Sequence, residues 1–238
     1  MKELIKGKKL SKQYYADTRR DAYDVMNSQI VYSEKEVDCV FIGDSITEYF
    51  ELSHYFGEVG NIINRGIGGD VVYGVFSRFD VDVIQLDPKI CVIMVGINEL
   101  WDKIDSFARK NSDIIELYKE IEGYINDLIP MYEHMIQRAM AVGIRVLLCS
   151  VLPVIHELGK EFVFNEDHRN YYIQHLNERL VKLSKKCGCG YVDYHSAMKD
   201  NRGQLKQIYT WDGLHPHGKG YEVMAEILKP YLLSALKS

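Results

Sequence analysis

The hydrophobic and polar positions of this chain form two alternating patterns. Short runs of consecutive apolar residues predict buried strands, and longer stretches with apolar residues at i, i+3 and i+4 predict helices. We predict strands over Val37–Ile42, Gly60–Asn64, Lys89–Val95, Ile144–Val151 and Gly190–Tyr194. We predict helices over Ile46–Phe56, Asp70–Phe79, Asp113–Ala141, Arg169–Lys186 and His217–Leu236, and we expect Pro130 to kink or break the longest of them.

Strands that are apolar throughout are buried on both faces, as in a parallel sheet with helices against each side. Alternation of strands and helices at this spacing is typical of a three-layer α/β/α fold. The sequence therefore predicts an α/β protein with a parallel five-stranded sheet. We expect one such domain over residues 35–238, with an N-terminal helical extension over residues 1–34 packed on its core. The irregular stretch Ile155–His168 is expected to be a loop over the site.

Composition and charge narrow the class of protein. The chain has 238 residues, of which 47% are hydrophobic, and this suits one sizeable domain with a large core. The net charge is -5, which argues against a nucleic-acid-binding protein, because such a protein usually carries a basic surface. Five cysteines, an odd number, fit a reducing compartment, and neither a signal peptide nor an apolar run of membrane-spanning length is present. We therefore expect a cytoplasmic protein without a membrane span.

Two distant segments carry the residue types of nucleophilic catalysis. Ser45 follows the first predicted strand and should open the next helix, while Asp212 and His215 lie three residues apart before the last helix. A serine becomes a good nucleophile when a base takes its proton and a carboxylate orients that base. A structural alternative exists for each: Ser45 or Asp44 could simply cap a helix, and Asp212 could belong to a turn.

Two further strand ends offer hydrogen-bond donors. Gly69 lies in a glycine-rich segment after the second strand, and Asn98 follows the third. Because ligands of open α/β sheets bind at the carboxyl ends of strands, these residues and Ser45 are expected on one rim. The backbone N–H of Gly69 and the side chain of Asn98 could stabilise an oxyanion, although a plain turn and a strand-end contact would explain them equally well in isolation.

A zinc site and an aromatic wall of an acyl pocket are two interpretations that receive less support. Asp212, His215 and His217 could bind zinc, but no further acidic, Cys or His partner lies at metal spacing, so we expect no metal. The tryptophans Trp101 and Trp211 are expected to be core residues, although an aromatic ring beside Asp212 could also line an acyl pocket.

Four short blocks resemble those of the SGNH hydrolase superfamily, also called the GDSL family of esterases and lipases. Gly43–Ile46 matches the Gly-Asp-Ser-Leu block with Ile in place of Leu, and Gly69 matches the glycine of the second block. Gly96–Asn98 matches the third block, in which Glu99 replaces the usual Asp, and Asp212–His215 matches the Asp-x-x-His block. The glycine-rich second block is also similar to that of platelet-activating-factor acetylhydrolase-like and bacterial acyl-esterase proteins.

The resemblance implies a flavodoxin-like sheet and no cofactor. It implies that Ser45 is the nucleophile, that His215 and Asp212 complete a catalytic triad, and that the N–H groups of Ser45 and Gly69 form an oxyanion hole with Asn98. It also implies short acyl groups, and it leaves open which contacts Glu99 makes.

We therefore expect a serine esterase that forms an acyl-enzyme on a small ester, either an acylated sugar or a lipid-like ester. The alternatives are a lysophospholipase or lipase, an acyltransferase on the same site, and a non-catalytic module that binds a small ligand. A homodimer is also possible, because two-fold dimers are the commonest oligomers.

Overall fold

The computed structural model describes residues 15–100, 104, 114–155 and 168–237, so most of the expected loop Ile155–His168 and Trp101 lie outside the described residues. The strands are β1 Cys39–Gly43, β2 Ile62–Gly66, β3 Ile90–Met94, β4 Arg145–Cys149 and β5 Gly190–Val192. The helices are α1 Tyr15–Ser33, α2 Ser45–Glu48, α3 Leu52–Phe56, α4 Val72–Asp82, α5 Ile114–Ala141, α6 His168–Cys187, α7 Tyr194–Met198 and α8 Gly218–Lys237.

The five strands form one parallel sheet in the order β2-β1-β3-β4-β5, with helices on both faces. This confirms the predicted three-layer α/β/α fold. Each predicted strand overlaps an observed one, and the ends differ by at most two residues. The register places Gly43 of β1 opposite Gly66 of β2 and Met94 of β3, so the carboxyl ends of three neighbouring strands are level. The loops that leave these ends therefore begin side by side.

The prediction of a single helix over Ile46–Phe56 is wrong, because the structure has α2 and α3 separated by a bend. The side-chain amide of Asn64 on β2 donates to the carbonyl oxygens of Thr47 (2.8 Å) and Phe50 (3.2 Å). These bonds satisfy carbonyls that a continuous helix would have used internally. The bend also buries Phe50, which is 3% exposed, in the core. A long-range contact from the neighbouring strand has overridden the local pattern.

Pro130 lies inside α5 and does not break it, so that part of the expectation is wrong. An interior proline costs a helix about 3 kcal/mol. The helix buries a full apolar stripe that includes Leu128, Tyr132 and Met135 on either side of the proline. Burial of three such side chains contributes more than the proline costs, at ~1.5–3 kcal/mol each. The short helix α7 was not predicted.

Helix α1 packs against α4 and the turn that follows it. The side-chain amide of Asn27 donates to the carbonyl oxygen of Val81 (3.1 Å) and to Oδ1 of Asp82 (2.7 Å), and all three groups are buried. No helix within the described residues combines the length and the apolar content that a bilayer crossing requires.

The fully buried guanidinium of Arg78 bonds backbone groups near the carboxyl ends of β1 and β2. Arg78 of α4 donates to Asp70 (2.8 Å), to Asp82 (2.7 Å), and to the carbonyl oxygens of Arg65 (2.8 Å) and Gly43 (2.9 Å). Burial opposes the charge, but Asp82 and Asp70 outweigh it and raise the pKa of Arg78 above its ordinary value. One side chain therefore fixes the ends of β1 and β2 and the loop after β2.

Replacing Arg78 should destabilise the fold strongly. Arg78→Met leaves Asp70 and Asp82 buried without their main cation, and removing one partner of a buried pair costs about 3–5 kcal/mol. Urea denaturation measures the change in free energy of unfolding. The matched control is Arg138→Met, which breaks the half-exposed pair with Asp80 and should cost about 1 kcal/mol or less. Equal costs for the two variants would contradict this account.

Candidate active site

Ser45 is the first residue of α2, directly after β1, and is 6% exposed. Asp44 is the N-cap of this helix, and its Oδ1 accepts the backbone N–H of Ile46 (3.0 Å). The alternative that Ser45 caps the helix is therefore wrong, and its hydroxyl is available for another partner. The cap holds the serine at the carboxyl edge of the sheet.

The structure brings Ser45, His215 and Asp212 into one hydrogen-bonded chain. Ser45 Oγ lies 2.9 Å from His215 Nε2, and His215 Nδ1 lies 2.6 Å from Asp212 Oδ2. With the ring proton on Nδ1 facing the carboxylate, Nε2 carries the lone pair that accepts the serine proton. The residues were predicted as a group, and this arrangement could pass the serine proton to the imidazole.

Local bonds set the shape of the segment that carries Asp212 and His215. Asp212 Oδ1 accepts the backbone N–H groups of Leu214 (2.9 Å) and His215 (2.8 Å), and the hydroxyl of Thr210 at 3.2 Å. Partial burial opposes ionisation of this carboxyl, but the bonds from His215 and Leu214 outweigh it and lower the pKa of Asp212 to about 2. The carboxyl of Asp212 is therefore ionised at neutral pH.

Gly69 occupies a tight turn that follows the carboxyl end of β2. Asp70 N–H donates to the carbonyl oxygen of Ile67 (3.1 Å), and Gly69 has φ of 75° at the third position, as a type II turn requires. A Cβ at Gly69 would meet nothing within 4 Å, so its backbone angle, and not space, makes glycine the suitable residue. We refer to Ile67–Asp70 as the glycine turn.

Asn98 contacts the same turn. Its side-chain N–H donates to the carbonyl oxygen of Asp70 (3.0 Å), and the side chain is partly exposed. Because an amide nitrogen has two N–H groups, this bond leaves the second available for another acceptor. The contact orients the Asn98 side chain against the turn that carries Gly69.

The side chain of Glu99 is one methylene longer than the Asp usual at this position, and its carboxyl accepts hydrogen bonds from two helices. Oε1 accepts the backbone N–H of Val72 at the start of α4 (2.6 Å), and Oε2 accepts the hydroxyl of Tyr124 on α5 (2.5 Å). Burial raises the pKa of Glu99 above its ordinary value, although both bonds oppose that shift. The side chain therefore supports the loop after the glycine turn.

The carboxyl of Asp44, the residue before Ser45, has a pKa far above its ordinary value. Burial raises the pKa of Asp44 to about 7, against the bond from Ile46 N–H, and the charges of Asp70 and Glu99 add to the shift. Arg78 lowers it by a smaller amount. Asp44 therefore titrates near neutrality in the folded protein.

The expectation that Trp211 is a core residue is wrong. Its side chain is 85% exposed, and its ring lies 4.8 Å from that of His217. Tyr49, which is 59% exposed, lies with its ring 5.4 Å from His215. Two exposed aromatic rings therefore flank the segment that carries Asp212 and His215. Within the described residues, no group of three or more His, Cys, Asp and Glu side chains could hold a metal ion.

Sequence reasoning missed two residues that build this site. Thr210 accepts the N–H of Gly213 (3.0 Å) through its hydroxyl, and the short Thr-x-Asp spacing is a signal that could have revealed it. Glu48 accepts the N–H of Gly68 (2.7 Å) across 20 positions of sequence, and no local pattern indicates such a contact.

Comparisons with known proteins agree with this geometry. The model of the GDSL-like lipase/acylhydrolase family matches residues 41–223. A Geobacillus stearothermophilus protein named acetylxylan esterase is 24% identical over 217 residues, which cover 78% of this chain and 89% of that protein.

Two solved structures are also similar to this chain. A GDSL-like lipase from Bacteroides thetaiotaomicron is 28% identical, covering 93% of this chain and 100% of its own, with a TM-score of 0.71. A Streptococcus pneumonia protein described as a platelet activating factor is 25% identical, covering 89% and 93%, with a TM-score of 0.69.

The titration of Asp44 predicts a specific pH dependence of stability. The unfolded chain loses this proton near pH 4 and the folded protein near pH 7, so the contribution of Asp44 to the free energy of unfolding falls as the pH rises from about 4 to about 7. Asp44→Asn keeps an acceptor for the cap but does not titrate. Urea denaturation across this range should therefore show a smaller loss of stability for Asp44→Asn than for the wild type.

The control for that measurement is Asp193→Asn. Asp193 caps α7 by accepting the N–H of Ser196, but it is exposed. Its replacement therefore measures the effect of losing a capping carboxylate that is not buried. Identical slopes for Asp44→Asn and the wild type would contradict the buried titration.

Gly69→Ala tests the glycine turn. An alanine disfavours the positive φ, which should shift the turn and lower kcat/KM for an ester about tenfold or more if the Gly69 N–H is the oxyanion donor that the family resemblance implies. Gly188 has φ of 72° with nothing within 4 Å of a Cβ, and it precedes β5 at the opposite edge of the sheet. Gly188→Ala should carry a similar cost in stability with unchanged kcat/KM. Equal activities would remove Gly69 from the site.

Proposed function

This chain belongs to the GDSL-like lipase/acylhydrolase family and is a carboxylic ester hydrolase, and from that premise we propose that Ser45, His215 and Asp212 form its catalytic triad. The observation that carries the proposal is the unbroken chain of short contacts from Ser45 Oγ through His215 to Asp212. A site that only bound a ligand would need no nucleophile paired with a base.

The proposed reaction has two acyl-transfer steps. Ser45 Oγ attacks the ester carbonyl carbon while its proton passes to His215 Nε2, and the tetrahedral intermediate then expels the alcohol, which takes that proton. Water next gives a proton to His215 and attacks the acyl-enzyme, and the carboxylic acid leaves as Ser45 regains its hydrogen. Asp212 stays ionised throughout and stabilises the imidazolium formed in each step.

The oxyanion of each tetrahedral intermediate is proposed to be bound by Gly69, Asn98 and Ser45. Gly69 and Ser45 contribute backbone N–H groups, and Asn98 contributes the side-chain N–H that does not bond Asp70. Each preorganised donor of this kind is worth ~10²–10³ in turnover. The fixed placement of Asn98 against the glycine turn supports its role.

We propose that the acyl group is short, most simply acetyl, and that the alcohol side of the ester carries a ring. The acetylxylan esterase that this chain is similar to supports the first part. The exposed rings of Tyr49, beside His215, and of Trp211, beside His217, support the second, because a flat apolar face such as that of a sugar can lie on an aromatic ring.

Hydrolysis of a p-nitrophenyl ester series from acetate to palmitate tests this proposal. We expect turnover to be highest with acetate and to fall steeply with chain length. Ser45→Ala should lose ~10⁴-fold or more in kcat, as removal of a triad nucleophile does. Ser53→Ala, a change at an exposed serine of α3, should behave as the wild type.

Four results would contradict the proposal in different ways. Retained activity in Ser45→Ala would remove the serine from the mechanism. Preference for long chains would favour a lipase or lysophospholipase, and transfer of the acyl group to an added alcohol in preference to water would favour an acyltransferase. Absence of Ser45 labelling by a fluorophosphonate probe, together with no ester turnover, would favour a binding module.

A further inference from the structure

Residues that belong to neither the proposed triad nor the proposed oxyanion hole contact the glycine turn and the residues beside it. We propose that Glu48 is a positioning residue that fixes the distance between the nucleophile and the glycine turn, and that helix α1 holds Glu48 in place through Arg19. This inference rests on the proposed oxyanion-hole role of Gly69.

Glu48 connects two parts of the site directly. It is the last residue of α2, the helix that begins with Ser45, so the two residues are one helical turn apart. Its Oε2 accepts the N–H of Gly68 (2.7 Å), the residue before Gly69. Its side chain is only 7% exposed. One carboxylate therefore joins the nucleophile helix to the glycine turn without touching the reacting atoms.

The strand that leads into the turn also lies against this helix. A Cβ built on Gly66, the last residue of β2, would lie 2.1 Å from the backbone nitrogen of Glu48. Such a close backbone approach is possible only because residue 66 is glycine. The helix, the strand end and the glycine turn are therefore packed as one unit, and the carboxylate bond to Gly68 closes it.

Helix α1 supplies the charge that stabilises Glu48. Arg19 Nε lies 3.1 Å from Glu48 Oε1, so the two oxygens of the carboxylate face a cation and a backbone N–H. A negative carboxylate close to a developing oxyanion would oppose it, and the guanidinium of Arg19 offsets that charge.

Two more contacts from α1 reach the ends of the same segment. The hydroxyl of Tyr23 donates to the carbonyl oxygen of Gly66 (2.6 Å), and Arg20 Nη2 lies 3.6 Å from Asp70 Oδ1. Tyr23 and Arg20 are both buried. Two successive turns of α1 therefore contact this segment at three points. Tyr23 contacts the residue before the glycine turn, Arg19 contacts the turn through Glu48, and Arg20 contacts the last residue of the turn.

Small displacements of this turn have large effects on rate. An oxyanion donor acts only when it lies 2.7–3.1 Å from the position of the oxyanion. A shift of about 1 Å can cost ~10² in rate. Without Glu48 the Gly68 N–H would lose its partner, and the turn would be free to move relative to Ser45. The effect should appear in the transition state and not in substrate binding.

The test compares Glu48→Ala with Glu48→Gln. Alanine removes the acceptor, and we expect kcat for p-nitrophenyl acetate to fall about 10–100-fold with KM within about twofold of the wild type. Glutamine keeps an acceptor oxygen for Gly68 N–H and should restore most of that kcat. Arg19→Ala should give a smaller loss of the same kind.

A second readout separates positioning from folding. The inhibition constant of a trifluoromethyl ketone, which adds to Ser45 and forms a tetrahedral oxyanion, should rise in Glu48→Ala by the same factor as kcat/KM falls. Circular dichroism and thermal unfolding report whether the variant is folded. The matched control is Glu122→Ala, which breaks an ion pair with Arg179 between α5 and α6 and should change neither kinetic quantity.

The outcomes distinguish this inference from the proposed function. If Ser45→Ala is inactive while Glu48→Ala keeps the wild-type kcat and inhibition constant, the triad stands and the positioning role is overturned. A Glu48→Gln variant that is folded but as slow as Glu48→Ala would also overturn it. If Ser45→Ala remains active, the proposed function itself fails. Loss in Glu48→Ala with recovery in Glu48→Gln supports the inference.

Discussion

The buried guanidinium of Arg78 is the interaction on which the site depends. Near the carboxyl ends of β1 and β2, the carbonyl oxygens of Gly43 and Arg65 accept N–H groups from Arg78. The same side chain holds Asp70, the last residue of the glycine turn. Ser45 and Gly69 follow two of these fixed points by only a few residues. Arg78 therefore fixes the strand ends from which the two segments leave, and Glu48 adds the direct contact between α2 and the glycine turn.

The buried charged side chains near Arg78 differ in whether an arginine contacts them. The buried ionisable side chains of the described residues near the sheet ends comprise three arginines and four carboxyls: Arg20, Arg65, Arg78, Asp44, Asp70, Asp82 and Glu99. Asp70 and Asp82 contact arginines directly. Asp44 and Glu99 instead accept N–H or O–H groups, and their raised pKa values follow from burial without a contacting cation. Their bonds keep the nucleophile helix and α4 in place.

The two halves of the site are built in different ways. Asp212 and His215 are positioned largely by bonds within one short segment, in which a single carboxylate oxygen organises the backbone around it. Ser45, Gly69 and Asn98 are positioned by contacts between different strands and helices. The proposed base therefore lies in a locally folded segment, whereas the arrangement of the proposed nucleophile and the glycine turn depends on the whole sheet. Helix α1 extends that arrangement through Glu48.

The sequence by itself determined the layers of the fold, the strands and the candidate residues of the site. The apolar runs and the helical periodicity lie within single segments, so each strand or helix can be predicted from its own residues. The motif residues are recognisable because their chemistry and short spacing also lie within single segments. Only the tertiary structure decided where Ile46–Phe56 bends, that α5 continues through Pro130, and that Trp211 is exposed. It also decided the partners of Glu48, Arg78 and Glu99. In each case the deciding contact comes from a distant part of the chain, so no local pattern of residues contains it.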